Sequence, residues 1–332
     1  MIHTANFYVT LSQEEIYELE RKFNTTINLL LNSAEQLFNG VTIFSKKKKE
    51  TNMFFIYAII DFIKFLNKED GVIIEDDYEE TNKKITHLEK VLFNSSKKFI
   101  LLRIDYRFDA VIKNREHREF LLSLYEKLSE KHKFQKKCNI DTNTNIKYKT
   151  SMYFNSKSIN VIVYDKERQK QDKHEKIEKY EYNVLRFEVR LQNKHLLNMK
   201  SKKNRPKTLK TYFKYNLFKE YMLKYVAEIF FTADYHNPYY AQKIINQSNL
   251  KDKEKLRSIQ FLNDISRNGI ENIKKWTDKN KSKKRKSLYS RPTFNKYISI
   301  LNKLNINPIL IPKNRVNSPK LLKNPLHSLK YL

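Results

Sequence analysis

The sequence predicts an α+β fold, a mainly antiparallel central sheet flanked by helices and followed by a helical, basic C-terminal region. Three observations predict it. Apolar residues alternate with period two in runs that recur through the first two thirds of the 332 residues, the signature of strands. Amphipathic helical stretches are mixed among these runs, and hairpin-like connections in the middle imply antiparallel neighbours rather than parallel crossovers. The prolines, at 206, 238, 292, 308, 312, 319 and 325, all fall late, which leaves the earlier part the more regular.

Taken in order, a strand near 5–10 leads through Ser12-x-x-Glu15, a capping box, into a helix over about 13–38. The apolar run at 53–65 fits strand or helix. A charged helix is expected at about 78–93, then a long strand over 97–112, "KKFILLRIDYRFDAVI", and an amphipathic helix over 115–131. The polar stretch "KKCNIDTNTN" at 136–145 reads as a loop. Two strands, 147–154 and 159–165, are joined by "NSKS" as a hairpin without glycine. The nearly all-charged 167–181 reads as a solvated helix or a loop, and "VLRFEVRLQ" at 184–192 as a cleanly alternating strand. From about 211 the pattern turns helical, with apolar pairs at 217/218, 221/222, 225/226 and 229/230 on one face. Phe294, Tyr297, Ile298, Leu301 and Leu304 form a last stripe, suited to a small helix-turn-helix module. The basic stretch near 200–210 divides the chain into an α+β unit, 1–205, and a helical accessory region, 206–332.

Lys and Arg outnumber Asp and Glu by 66 to 37, a formal charge of +29, while 40% hydrophobic residues suffice for a core. Such an excess favours a polyanionic partner. Lys-, Asn- and Ile-rich composition also arises from AT-biased coding, but the basic residues cluster at 45–49, 200–210 and 274–286, and patches focus potential. Nucleic acid is therefore expected over membrane, because the most apolar run, "MFFIYAIIDFI", is short and broken by Asp61. The first residues lack the pattern of a signal peptide. The single Cys138 excludes an internal disulfide or a cysteine metal centre, and with the rest implies a cytoplasmic location.

Alternation places Arg103, Asp105 and Arg107 on one face of their strand, and Arg186, Glu188 and Arg190 on one face of theirs. Two acids, each flanked by arginines, fit either an exposed face of cross-strand ion pairs or a phosphate site. In the second case Asp105 and Glu188 supply oxygen ligands to one divalent cation, Mg²⁺ or Mn²⁺, and the arginines fork onto phosphate oxygens. Between these strands Tyr164, Asp165 and Lys166 stand where a strand should run into solvent. A nearby cation stabilises a phenolate, so Tyr164 is the candidate nucleophile among 21 tyrosines. The eight histidines include no His-x-His pair, and no glycine loop for nucleotide phosphates is present.

"LLRIDYRFDA", "TSMYFNSKSINVIVYDKERQ" and "LRFEVRLQNKHL", in this order and spacing, resemble the rolling-circle replication initiators of filamentous phages and related plasmids, the gene II/X type. The resemblance covers roughly 97–200. It implies a metal-dependent DNA nicking and joining enzyme with Tyr164 as nucleophile, Lys166 and Arg186 assisting, Asp105 and Glu188 as metal ligands, and Arg103 and Arg190 on DNA. The implied product is a 5′-phosphotyrosyl link and a free 3′-hydroxyl. Lys283, Lys284, Arg285 and Arg291 are the expected duplex contacts. The implied partners are single-stranded or melted origin DNA, a host helicase and a polymerase, with a homodimer compatible. The competing readings are a DNA-binding regulator without catalysis and an RNA-binding protein.

Overall fold

The computed structural model describes residues 1–48, 53–94, 96–126, 128, 135–140, 147–270, 272–273, 288–313 and 318–331. The first strand, β1 (Ile2–Leu11), buries every second residue after Thr4 and ends at Ser12. Ser12 caps α1 (Gln13–Phe23) in the expected box: its Oγ accepts from Glu15 N at 3.1 Å, and its own N donates to Glu15 Oε2 at 2.8 Å. The single helix expected over 13–38 is two, because Asn24 adopts a left-handed conformation (φ 47°) and Thr26 starts α2 (Ile27–Leu37). Next come β2 (Val41–Lys48) and β3 (Met53–Asp61), and the ambiguous run at 53–65 resolves as a strand whose last residue, Asp61, caps the short helix α3 (Phe62–Phe65). Helix α4 (Tyr78–Phe93) matches expectation, and β4 (Ile100–Val111) and α5 (Arg115–Tyr125) follow.

The stretch expected to be a loop at 136–145 begins instead as a strand, β5 (Gln135–Ile140), completed by a partner that its own polar sequence does not reveal. It pairs with β6 (Lys147–Asn155), which turns into β7 (Ile159–Asp165), helix α6 (Lys166–Asp172), and β8 (Val184–Leu191). These eight strands form one sheet in the order β2-β3-β1-β4-β8-β7-β6-β5, every pairing antiparallel.

The C-terminal part is helical: α7 (Asn193–Lys203), α8 (Leu209–Tyr212), α9 (Tyr215–Tyr221), a π-helical turn over Met222–Ala227, and α10 (Glu228–Phe230). The pair β9 (Tyr235–His236) and β10 (Leu321–Leu322) frames α11 (Pro238–Gln247), α12 (Asp252–Asn268) and α13 (Arg291–Lys303). No helix among the described residues is long and apolar enough to cross a membrane.

Helices cover one face of the sheet. Ala5, Ile56, Ala58, Ile104, Phe187 and Val161 point into it and are buried, and the Phe230 ring from the C-terminal part meets Tyr125, Phe154 and Phe187 edge-on at 4.8, 5.4 and 5.3 Å. Residues on both sides of 205/206 thus share one apolar core. The opposite face, carrying Asn6, Tyr8, Tyr57 and Arg103, is partly open to solvent.

Candidate active site

Three cross-strand rungs build the charged centre of that second face. Antiparallel register places Asp105 opposite Arg190, Arg107 opposite Glu188, and Asp109 opposite Arg186. The next strand, β7, sets Tyr164 opposite Arg186, Ile162 opposite Glu188, and Asn160 opposite Arg190. Residues directly opposed share a face, so the alternation in three separate segments converges on one patch.

Within it the Tyr164 hydroxyl donates to Glu188 Oε1 at 2.6 Å, while Arg190 donates to Glu188 Oε2 through Nη2 at 2.7 Å and Nε at 3.0 Å. Arg190 Nε also lies 3.6 Å from Asp105 Oδ2, to which Arg103 donates at 2.9 Å. Arg186 forks onto Asp109 at 2.7 and 2.9 Å, and Arg107 Nε lies 3.4 Å from the same carboxylate. This is the ion-paired face foreseen in the sequence, but its centre is buried rather than exposed: Arg186 and Glu188 are at 0% exposure, while Arg190 and Arg103 at its edge stay partly exposed.

Tyr164 itself is 4% exposed, which corrects the expectation of a solvated strand end. Burial and the Glu188 charge raise its pKa well above the usual phenol value, against the pull of Arg186 and Arg190. Burial works against the Glu188 charge too, but the contact with His3 and the guanidiniums of Arg190 and Arg186 outweigh it and hold the carboxyl well below its ordinary range. Burial pushes Asp105 up to about 6, although Arg103 and Arg190 oppose it. Lys166 is drawn down to about 8 by burial and by Arg186. Its Nζ stands 6.0 Å from the centre of the Tyr164 ring and pairs with Glu181 Oε1 at 3.3 Å, so the segment read as solvated folds back onto the site.

The residue before Lys166 anchors this turn. Asp165 accepts from Arg168 N as the cap of α6 and pairs with the buried Arg118 at 2.7 Å. His3 and Asp61, which no sequence pattern singles out, also belong here. A register shift between Ile2 and Thr4 places His3 so that Nδ1 lies 3.6 Å from Glu188 Oε1 and Nε2 lies 3.9 Å from Asp61 Oδ2. The register of β1 against β4 places His3 and that of β1 against β3, with Thr4 opposite Asp61, places Asp61, and no local pattern encodes either. His3, Asp61, Arg107, Lys166, Tyr180 and Glu181 line a cavity of about 420 Å³ beside the patch.

Asp105 and Glu188 suit a hard divalent cation in kind. Both are buried carboxylates on neighbouring strands, and Asp105 Oδ1 is buried with no hydrogen-bond partner. Among the described residues no three His, Cys, Asp or Glu side chains converge to hold a metal, so further ligands would come from substrate and water. Arg190 meanwhile pairs with both acids. Arg103, Arg186 and Arg190 stand in the patch, whereas Arg291 is exposed at the start of α13, on the helical part. Lys283, Lys284 and Arg285 lie outside the described residues.

No protein-family model and no curated protein matches the chain. Among solved structures it is similar to a rolling circle replication initiator protein from Geobacillus stearothermophilus, with 14% identity and a TM-score of 0.29, over 59% of this chain and 76% of that one. A likeness of that size decides neither fold nor activity.

Proposed function

We propose that the charged patch cleaves and rejoins a DNA phosphodiester, with Tyr164 as the nucleophile, and that the protein is a replication initiator of the nicking and joining kind. The observation that carries this reading is the 2.6 Å hydrogen bond from the Tyr164 hydroxyl to Glu188, set among arginines. It has the geometry of a nucleophile and its base.

Arg190 couples binding to activation. It is the most solvent-accessible member of the Glu188 group, with 31% of its side chain exposed, and its charge helps to hold Glu188 in the weakly basic state. A phosphate that draws Arg190 away raises the proton affinity of Glu188, which then takes the Tyr164 proton as Oη attacks phosphorus. The bond to the 3′-oxygen breaks, and Lys166, titrating near neutrality, supplies the proton that makes it a hydroxyl. The 5′-phosphate stays on Tyr164, and attack by a later 3′-hydroxyl reverses the step. Arg107 and Arg186 each keep a buried Nη1 without a protein acceptor, and these are donors for phosphate oxygens. A cation of the Mg²⁺ or Mn²⁺ class would be held at Asp105, whose Oδ1 has no hydrogen-bond partner, and would add charge neutralisation at the phosphate while Glu188 acts as the base.

The burial of Tyr164 favours one rival, a DNA-binding protein in which the same patch is only structural. Tyr164→Phe separates them. On single-stranded origin DNA the nicking enzyme loses its denaturation-resistant adduct and keeps its affinity, whereas a binder forms no adduct in either form.

A further inference from the structure

The open face of β2, β3 and β1 carries a row of aromatic rings that the chemistry at Tyr164 does not use. Register aligns Phe44, Tyr57 and Tyr8 as one rung, with Phe55 two residues along β3 from Tyr57. The rings run nearly parallel: Phe44 to Tyr57 at 5.2 Å and 21°, Tyr57 to Phe55 at 6.3 Å and 19°, Phe55 to Tyr8 at 6.3 Å and 24°. The intervening residues of β3, Ile56, Ala58 and Ile60, are wholly buried on the helix side. The helices alone therefore supply the core of this part, and the rings stand on its other side. Phe44 is 36% exposed and the other three are partly buried.

Cations stand over this row. Lys46 Nζ lies 5.5 Å from the Phe44 ring and Lys207 Nζ lies 5.7 Å from the Tyr8 ring. Lys207 also donates to Asn193 Oδ1, and Asn193 lines a cleft of about 560 Å³ with Asn6, Arg103, Asn160 and Lys194. Asn160 and Arg103 lead from that cleft onto the rungs of the charged patch. Four strand spacings, about 19 Å, separate β3 from β7 across this face.

We propose that Phe44, Tyr57, Phe55 and Tyr8 form a stacking platform for single-stranded DNA, with Lys46 and Lys207 on its phosphates, and that the strand crosses the polar cleft to reach Tyr164. Flat rings offer a π-face to any base and the ammonium groups follow the backbone, the pairing that single-strand binders use. The net charge of +29 favours a polyanion over an apolar peptide on the same rings. The route to Tyr164 rests on the nicking function, but the platform stands without it.

The test measures binding of a labelled mixed-sequence single-stranded DNA oligonucleotide to the full chain and to Tyr8→Leu/Phe55→Leu/Tyr57→Leu, which keeps apolar bulk and removes the rings. The expected loss of affinity is tenfold or more. Single Phe44→Leu, at the most exposed ring, poses little risk to the fold and is expected to lose about threefold. Unchanged affinity in both variants overturns the platform, and so does tighter binding of the matching RNA than of the DNA by the unaltered chain. Ring-dependent DNA binding without any tyrosyl adduct overturns the nicking function and leaves the platform standing.

Discussion

The hydroxyl of Tyr164 and the carboxylate of Glu188 share a 2.6 Å hydrogen bond across two adjacent strands, both almost entirely out of solvent. Glutamine in place of Glu188 keeps the size of the side chain but cannot take the proton. Glu188→Gln is expected to slow adduct formation by about 10²–10⁴-fold, the usual contribution of a positioned base. Removing a negative charge beside four arginines leaves DNA affinity equal or higher. Single-turnover adduct rates and equilibrium binding, measured side by side, check both halves.

Arg186 has no exposed surface and forks onto Asp109 at 2.7 and 2.9 Å. Asp109→Asn strands that guanidinium in the interior, and about 3–5 kcal/mol of stability should be lost. Asp109→Leu combined with Arg186→Met removes both charges and recovers most of the loss. Urea denaturation of the three proteins reads the difference.

Gly71 has φ +66°, and a Cβ there would run into the Tyr180 ring. Arg107 donates to the Gly71 carbonyl and its guanidinium stands 5.9 Å from the same ring, so glycine is what lets this crossing close over the patch. Gly71→Ala should lower stability by about 1–3 kcal/mol through strain at positive φ. Hydrogen exchange should accelerate at 70–73 and 178–182 while β1 and β4 keep their protection.

His195 Nε2 meets the Tyr221 hydroxyl at 2.7 Å, tying α7 to the end of α9. Burial first, then Lys224 and Arg205, draw its pKa down to about 4. The unfolded chain, with an ordinary histidine near 6.5, binds the proton at higher pH than the folded one. This contribution is thus complete above about pH 6.5 and is lost as pH falls towards 4, at most about 3 kcal/mol. Melting temperature against pH should fall more steeply across that window for the unaltered protein than for His195→Asn.

Much of the patch was legible because strand alternation is a local property. The sets Arg103/Asp105/Arg107 and Arg186/Glu188/Arg190 could be read from two short segments, and the pairing of β4 with β8 only had to bring them together. The burial of Tyr164 and the inward turn of Lys166 were not legible, since they depend on how the charged stretch after β7 packs back through Glu181. His3 reaches Glu188 through a register shift in β1, which its flanking residues do not announce. The break at Asn24 and the strand β5 were missed for related reasons. One asparagine in a left-handed conformation ends a helix whose apolar pattern continues, and β5 takes its ladder from β6 rather than from its own propensity.

The most direct test of nucleophilic attack by Tyr164 is to incubate the protein with single-stranded origin DNA and Mn²⁺, denature, digest, and locate any nucleotide adduct by mass spectrometry. One modified peptide is expected, containing Tyr164 joined to a 5′-phosphate, and none in Tyr164→Phe. An adduct on another tyrosine, or its persistence in Tyr164→Phe, would contradict it.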